Sequence, residues 1–99
     1  MPESRPVVVS TTERGLEVHV HGIPGWEGFD QLTRYLVLHF AATITSSIDG
    51  PDARVRQLLI DETTLTLDYE DPYESTIVAA DRESGILLRI AEDLTHRLT

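Results

Sequence analysis

Leu16, Val18 and Val20 alternate with Glu17, His19 and His21, and Leu65, Leu67 and Tyr69 alternate with Thr64, Thr66, Asp68 and Glu70. A period of two sends successive side chains to opposite faces of a strand, so each segment has one apolar and one polar face. Strands of this kind build a sheet that is covered on one side and open on the other. The cover must come from the same chain. Phe29, Leu32, Leu36 and Phe40 recur at three- and four-residue steps, with Tyr35, Val37 and Leu38 widening the stripe. Leu87, Ile90, Ala91, Leu94 and Leu98 make a second stripe, while Arg89, Glu92, Asp93, His96 and Arg97 decorate its outer side. Two amphipathic helices result.

Punctuation between these segments orders the rest. Residues 7–12 are rich in Val and Thr and form a first strand, which Glu13-Arg14-Gly15 turns into the second. Gly22-Ile23-Pro24-Gly25 ends that strand, and Trp26-Glu27-Gly28 leads into the first helix, where Glu27 and Asp30 favour the N-terminus electrostatically. Past Ala42 the β-branched run Thr43-Ile44-Thr45-Ser46-Ser47-Ile48 predicts a third strand, with Ile44 and Ile48 on one face. Asp49-Gly50-Pro51-Asp52 is a turn. Residues 54–60 and 64–70 flank Asp61-Glu62-Thr63 as a second hairpin, and Asp71-Pro72-Tyr73-Glu74 turns into a short strand over 76–80. Asp81 or Ser84 caps the last helix. The predicted order is β-β-α-β-β-β-β-α. Hairpins connect most of the strands, so the expectation is a single α+β domain over residues 1–99, with 1–5 frayed. Its sheet is mostly antiparallel, with both helices packed on one face.

Charge narrows the function. The chain holds 17 Asp and Glu against 8 basic residues, a formal net charge of -9 over 99 residues. Between Asp61 and Asp81 there are carboxylates and no Lys or Arg. Such a surface repels nucleic acid and anionic membrane and attracts basic proteins. All basic residues are Arg, and Lys and Asn are both missing, which reads as the codon bias of a GC-rich bacterial genome. Without Lys there is no Schiff-base chemistry and no phosphate-loop lysine; without Cys there are no disulfides and no thiolate sites. No signal-peptide core and no membrane-length apolar run occurs, so a cytoplasmic protein is expected.

The candidate chemical groups favour binding over catalysis. Glu17, His19 and His21 share a strand face, where two imidazoles and a carboxylate could reach one divalent ion, but no spaced second pair of ligands accompanies them. The paired carboxylates lie in turns or on a polar strand face, where water keeps them ionised. Glu17, His19 and Asp68 are the only acid-base set that could be assembled, and no nucleophile elbow is present. The expectation is no enzyme and no cofactor. Asp68, Glu70, Asp71, Tyr73 and Glu74 instead combine aromatic rings with carboxylates, a composition suited to capturing a basic protein. In outline the chain resembles immunity proteins or antitoxins, small acidic bacterial binders of basic toxins; that likeness of type implies a protein-protein interaction module. The alternative is a homodimer, or larger homo-oligomer, with a structural, small-ligand or metal-binding role.

Overall fold

In a computed structural model of the chain, residues 6–23, 25–70 and 74–98 are described. The strands are β1 (Val7–Thr12), β2 (Gly15–Val20), β3 (Thr43–Asp49), β4 (Ala53–Ile60), β5 (Thr63–Glu70) and β6 (Thr76–Ala79). The helices are α1 (Gly25–Phe40) and α2 (Gly85–Leu98). The two alternating segments, β2 and β5, do not pair with each other. The short β6 slots between them, giving one antiparallel sheet ordered β1-β2-β6-β5-β4-β3. This is the α+β architecture that the alternation predicts.

Register explains the core. Val18 lies opposite Ile77 and Ile77 opposite Leu67; Leu16 lies opposite Ala79, then Leu65 and Leu58. These rows are buried beneath Phe29, Leu32 and Leu36 of α1 and Leu87, Ile90 and Leu94 of α2. Each fully buried Leu, Ile or Phe contributes roughly 1.5–3 kcal/mol relative to exposure. α1 lies over β5, and α2 lies over β1, β2 and β6. Ser84 is the cap of α2, its hydroxyl accepting the Leu87 N–H at 3.2 Å, while Asp81 accepts the Glu83 N–H in the preceding turn. Gly28 sits in α1 because a Cβ there would fall 1.8 Å from the Ile23 carbonyl oxygen, so the loop from β2 can press against the helix.

Several expectations change. Val37 and Leu38 are exposed rather than part of the buried stripe, since they lie round the helix from Phe29, Leu32 and Leu36. Ile44 and Ile48 are on opposite faces. Ile44 pairs with Leu58, whose side chain is in the core, and Ile48 pairs with Val55 on the open face, because a bulge between Ile44 and Ser46 reverses the alternation. The second hairpin closes on two residues, not three: Asp61 and Glu62 take positive φ (46° and 66°), the backbone of a type I′ turn, and Thr63 already belongs to β5. Residues 1–5, Pro24 and the turn residues Asp71, Pro72 and Tyr73 lie outside the described residues.

Candidate functional site

The open face of the sheet carries most of the alternating polar residues. Glu17 and His19 meet there, His19 Nε2 lying 3.5 Å from Glu17 Oε1. The His19 ring is held on both sides, by the Ser10 hydroxyl at 3.3 Å on Nε2 and the Thr76 hydroxyl at 3.2 Å on Nδ1. Glu17 is not the solvated carboxylate that alternation suggests; it is only 7% exposed. β2 is an interior strand, and its outward residue lies between Ser10 of β1 and Val78 of β6. The Thr12 hydroxyl donates to its Oε2, which replaces the lost water.

Asp68 lies in the same face but is already engaged. Arg14, from the β1–β2 turn, reaches across β6 and donates to Asp68 Oδ2. That hydrogen bond, with the carboxylate charge behind it, pushes the Arg14 guanidinium up from its ordinary value. Thr66 donates to Gln57 at 3.2 Å, extending the polar network toward β4. His21 leaves this group and sits 3.7 Å from Glu74, which also accepts the Gly22 N–H at 2.7 Å. Of the three residues read as a possible metal set, Glu17 and His19 thus meet on β2, while His21 lies just past its end and turns to Glu74. Among the described residues no group of three or more His, Cys, Asp or Glu gathers closely enough to hold an ion.

The acidic stretch from Asp61 to Asp81 is one patch in sequence and several in space. β5 has eight residues and spans roughly 25 Å. Asp61 and Glu62 are therefore at one end of the sheet, Asp68 is within the open face, and Glu70 and Glu74 are at the other end. Asp71 and Tyr73 fall outside the described residues, so the expected binding set is represented by Asp68, Glu70 and Glu74. Asp68 and Glu70, two residues apart, face the same side of β5, and Glu74 precedes β6 at the Glu70 end.

A different cluster assembles where Glu70 and Glu74 lie. Trp26 in the first turn of α1 is 51% exposed, and the Arg54 guanidinium stacks 4.0 Å from its ring centroid. Asp30 and Asp49 each stand 3.9 Å from Arg54, and Asp49 also accepts from Arg56 at 2.8 Å. Glu70 is the cross-strand neighbour of Ala53, one residue from Arg54, and so faces the open side of the sheet, away from this cluster. The sequence marks Trp26 and Asp30 one by one, but it does not show that the end of β3 brings Asp49 to the same Arg54. That grouping depends on strand order, which no local pattern encodes.

A third region lies between the helices. Tyr35 donates to Asp93 at 2.5 Å, Arg97 donates to the same carboxylate at 2.6 Å, and Arg97 stacks 5.3 Å from the Tyr35 ring. Burial and the Asp93 hydrogen bond push the Tyr35 hydroxyl well up, while Tyr35 and then Arg97 hold Asp93 below the ordinary carboxylate range. Beside this clasp Phe40, Arg89, Glu92, Asp93 and His96 line a shallow depression of about 310 Å³. It joins α1 to α2 and is a structural contact.

No helix among the described residues is long and apolar enough to cross a membrane. Comparison of the chain with protein-family models, with curated proteins and with solved structures gives no match.

Proposed function

We propose that the protein is a binding module for a basic protein, working in the bacterial cytoplasm and contributing no bond-making chemistry. One observation carries this reading: Trp26 stands half exposed at an end of the molecule, with the carboxylates Asp30 and Asp49 grouped about the Arg54 guanidinium that stacks on its ring. Interfaces are commonly anchored by an aromatic side chain at the centre, and surrounding charge of one sign accelerates capture of the opposite one. The stacking of Arg54 on the same ring shows the chemistry in miniature, a guanidinium held by an indole and two carboxylates. The rival is acid-base catalysis by Glu17, His19 and Asp68. It is disfavoured because each is tied to another partner: Glu17 to Thr12, His19 to Ser10 and Thr76, Asp68 to Arg14.

Trp26 is the single tryptophan of the chain, so its fluorescence reports on this end alone. Titration with an octa-arginine peptide is expected to change that emission, with an affinity falling about ten- to a hundredfold as salt is raised from low to high. Trp26→Ala, followed by calorimetry, weakens the binding. Equal affinity at low and high salt, or an emission that the peptide leaves unmoved, overturns the reading.

A further inference from the structure

We infer that the free edge of β3 is a self-association surface, on which a second copy of this chain adds its own β3 antiparallel across a two-fold axis at Ser47. The inference is independent of the acidic end. All seven residues of β3 are exposed, and Ile48 is 64% exposed. Edge strands are usually guarded by charge, Pro or a bulge. From Thr43 to Ile48 there is no charge and no Pro, and the bulge at Thr45 shields only the first part of the strand.

The backbone settles which groups are free. Gly50 N–H donates to the Ala53 carbonyl at 2.8 Å, which makes Gly50 and Ala53 a hydrogen-bonded pair closing the turn. Antiparallel pairs alternate between bonded and non-bonded, so Asp49–Arg54 and Ser47–Arg56 are non-bonded pairs. The N–H and C=O of Ser47 and Asp49 consequently point away from β4. A second copy placed with Ser47 opposite Ser47 satisfies both sets. In that register Ile48 lies beside Ser46 of the second copy on the open face, and the two Ile48 side chains meet diagonally across the axis. Asp49 falls opposite a Thr45 hydroxyl, not opposite another carboxylate.

Charge selects a second copy over a basic partner at this edge. The only carboxylate on β3, Asp49, is already held by Arg54 and Arg56, so nothing here attracts a cation. Conversely, two molecules that each carry a net charge of -9 meet with least repulsion along an uncharged strand. The sheet then becomes continuous through both copies, and pairing about a two-fold axis closes the assembly at two. One strand per copy buries less than the ~1,200 Å² of a standard interface, so association is expected in the micromolar range or weaker.

Sedimentation velocity from about 1 µM to about 1 mM protein tests this at low and high salt. The expected result is a monomer–dimer equilibrium that strengthens with salt, as screening relieves the mutual repulsion. That is the reverse of the salt dependence expected for octa-arginine binding, so either proposal can fail alone. Ser47→Pro removes an outward N–H that β4 does not use and is expected to give a folded monomer. Ile48→Lys is expected to weaken dimerisation at least about tenfold at low salt by bringing two cations together; it carries the test if the proline variant unfolds. A monomer across the whole range at high salt, or a dimer that survives both substitutions, overturns the inference.

Discussion

The two halves of the sheet are built on different terms. β1, β2, β6 and β5 lie under the helices, and their inward residues Val18, Ile77 and Leu67 are completely buried. On β4 the same face begins with Ile60 and Leu58 in the core and then changes to Arg56 and Arg54, whose guanidinia rest on the Phe29 and Trp26 rings. On β3 nothing is buried. Two helices cannot cover six strands, and the sequence meets that limit by replacing aliphatic side chains with arginines whose guanidinia lie over aromatic rings and keep their charge in ion pairs. The covered half holds the core, and β3 in the uncovered half is exposed throughout.

The comparison breaks most sharply at Gly15. Its φ is 126°, and a Cβ would stand 2.1 Å from the Ala79 carbonyl oxygen, at the seam between β2 and β6. Gly15→Ala must either separate the two strands or distort the turn, and is expected to destabilise the fold by about 3–5 kcal/mol. Urea unfolding reads this directly. A loss below about 1 kcal/mol would mean that the seam is loose enough to absorb a methyl group.

The next largest contrast sets one aliphatic side chain from each half against the other. Leu67 is fully buried in the covered half, and truncation to Ala is expected to cost about 2–5 kcal/mol. Ile44, on the helix-facing side of β3, is 43% exposed, and its truncation is expected to cost less than about 1 kcal/mol. Comparable losses at the two positions would show that β3 is covered after all, and the distinction between halves would fall.

How much of this is legible beforehand follows the same division. Where one face is buried, alternation is enforced residue by residue, so β2 and β5 and the stripes of α1 and α2 can be read from spacing alone. β3 has no buried face to enforce a register, and the bulge that separates Ile44 from Ile48 leaves no mark in its composition. Glu17 shows the converse failure: alternation places it outward correctly, but interior position and the Thr12 hydroxyl bury it. The cluster at Trp26 is the least legible, since Asp49 joins it only through strand order.

Turn chemistry offers a smaller and opposite effect. Glu62 holds φ at 66°, a conformation that costs a side chain with a Cβ about 1–2 kcal/mol, whereas Asp61 beside it tolerates the left-handed region better. Glu62→Gly relieves that strain but adds freedom to the unfolded chain, so the net gain is expected at about 0.5–1 kcal/mol. A rise in thermal midpoint measures it. The turn lies at the far end of the β4–β5 hairpin from Trp26, and octa-arginine binding should be unaffected.

The smallest effect concerns the clasp between the helices. The Tyr35 hydroxyl, and next the Arg97 guanidinium, hold Asp93 below the ordinary carboxylate range. A carboxyl depressed on folding adds stability that is complete above the pH where it ionises in the unfolded chain and is lost as pH falls through its lower folded value. Tyr35 works in the other direction: its hydroxyl is pushed up, so its contribution is complete below about pH 10 and disappears in stronger alkali. Asp93→Asn keeps a hydrogen-bond acceptor for Tyr35 but removes the charge that Arg97 needs. Stability measured against pH should therefore differ between the variant and the parent near neutrality and converge in acid, where the parent's carboxyl is protonated too. A constant difference down to the most acidic pH would mean that Asp93 acts through shape and not through charge, and the helix layer would then depend on packing alone.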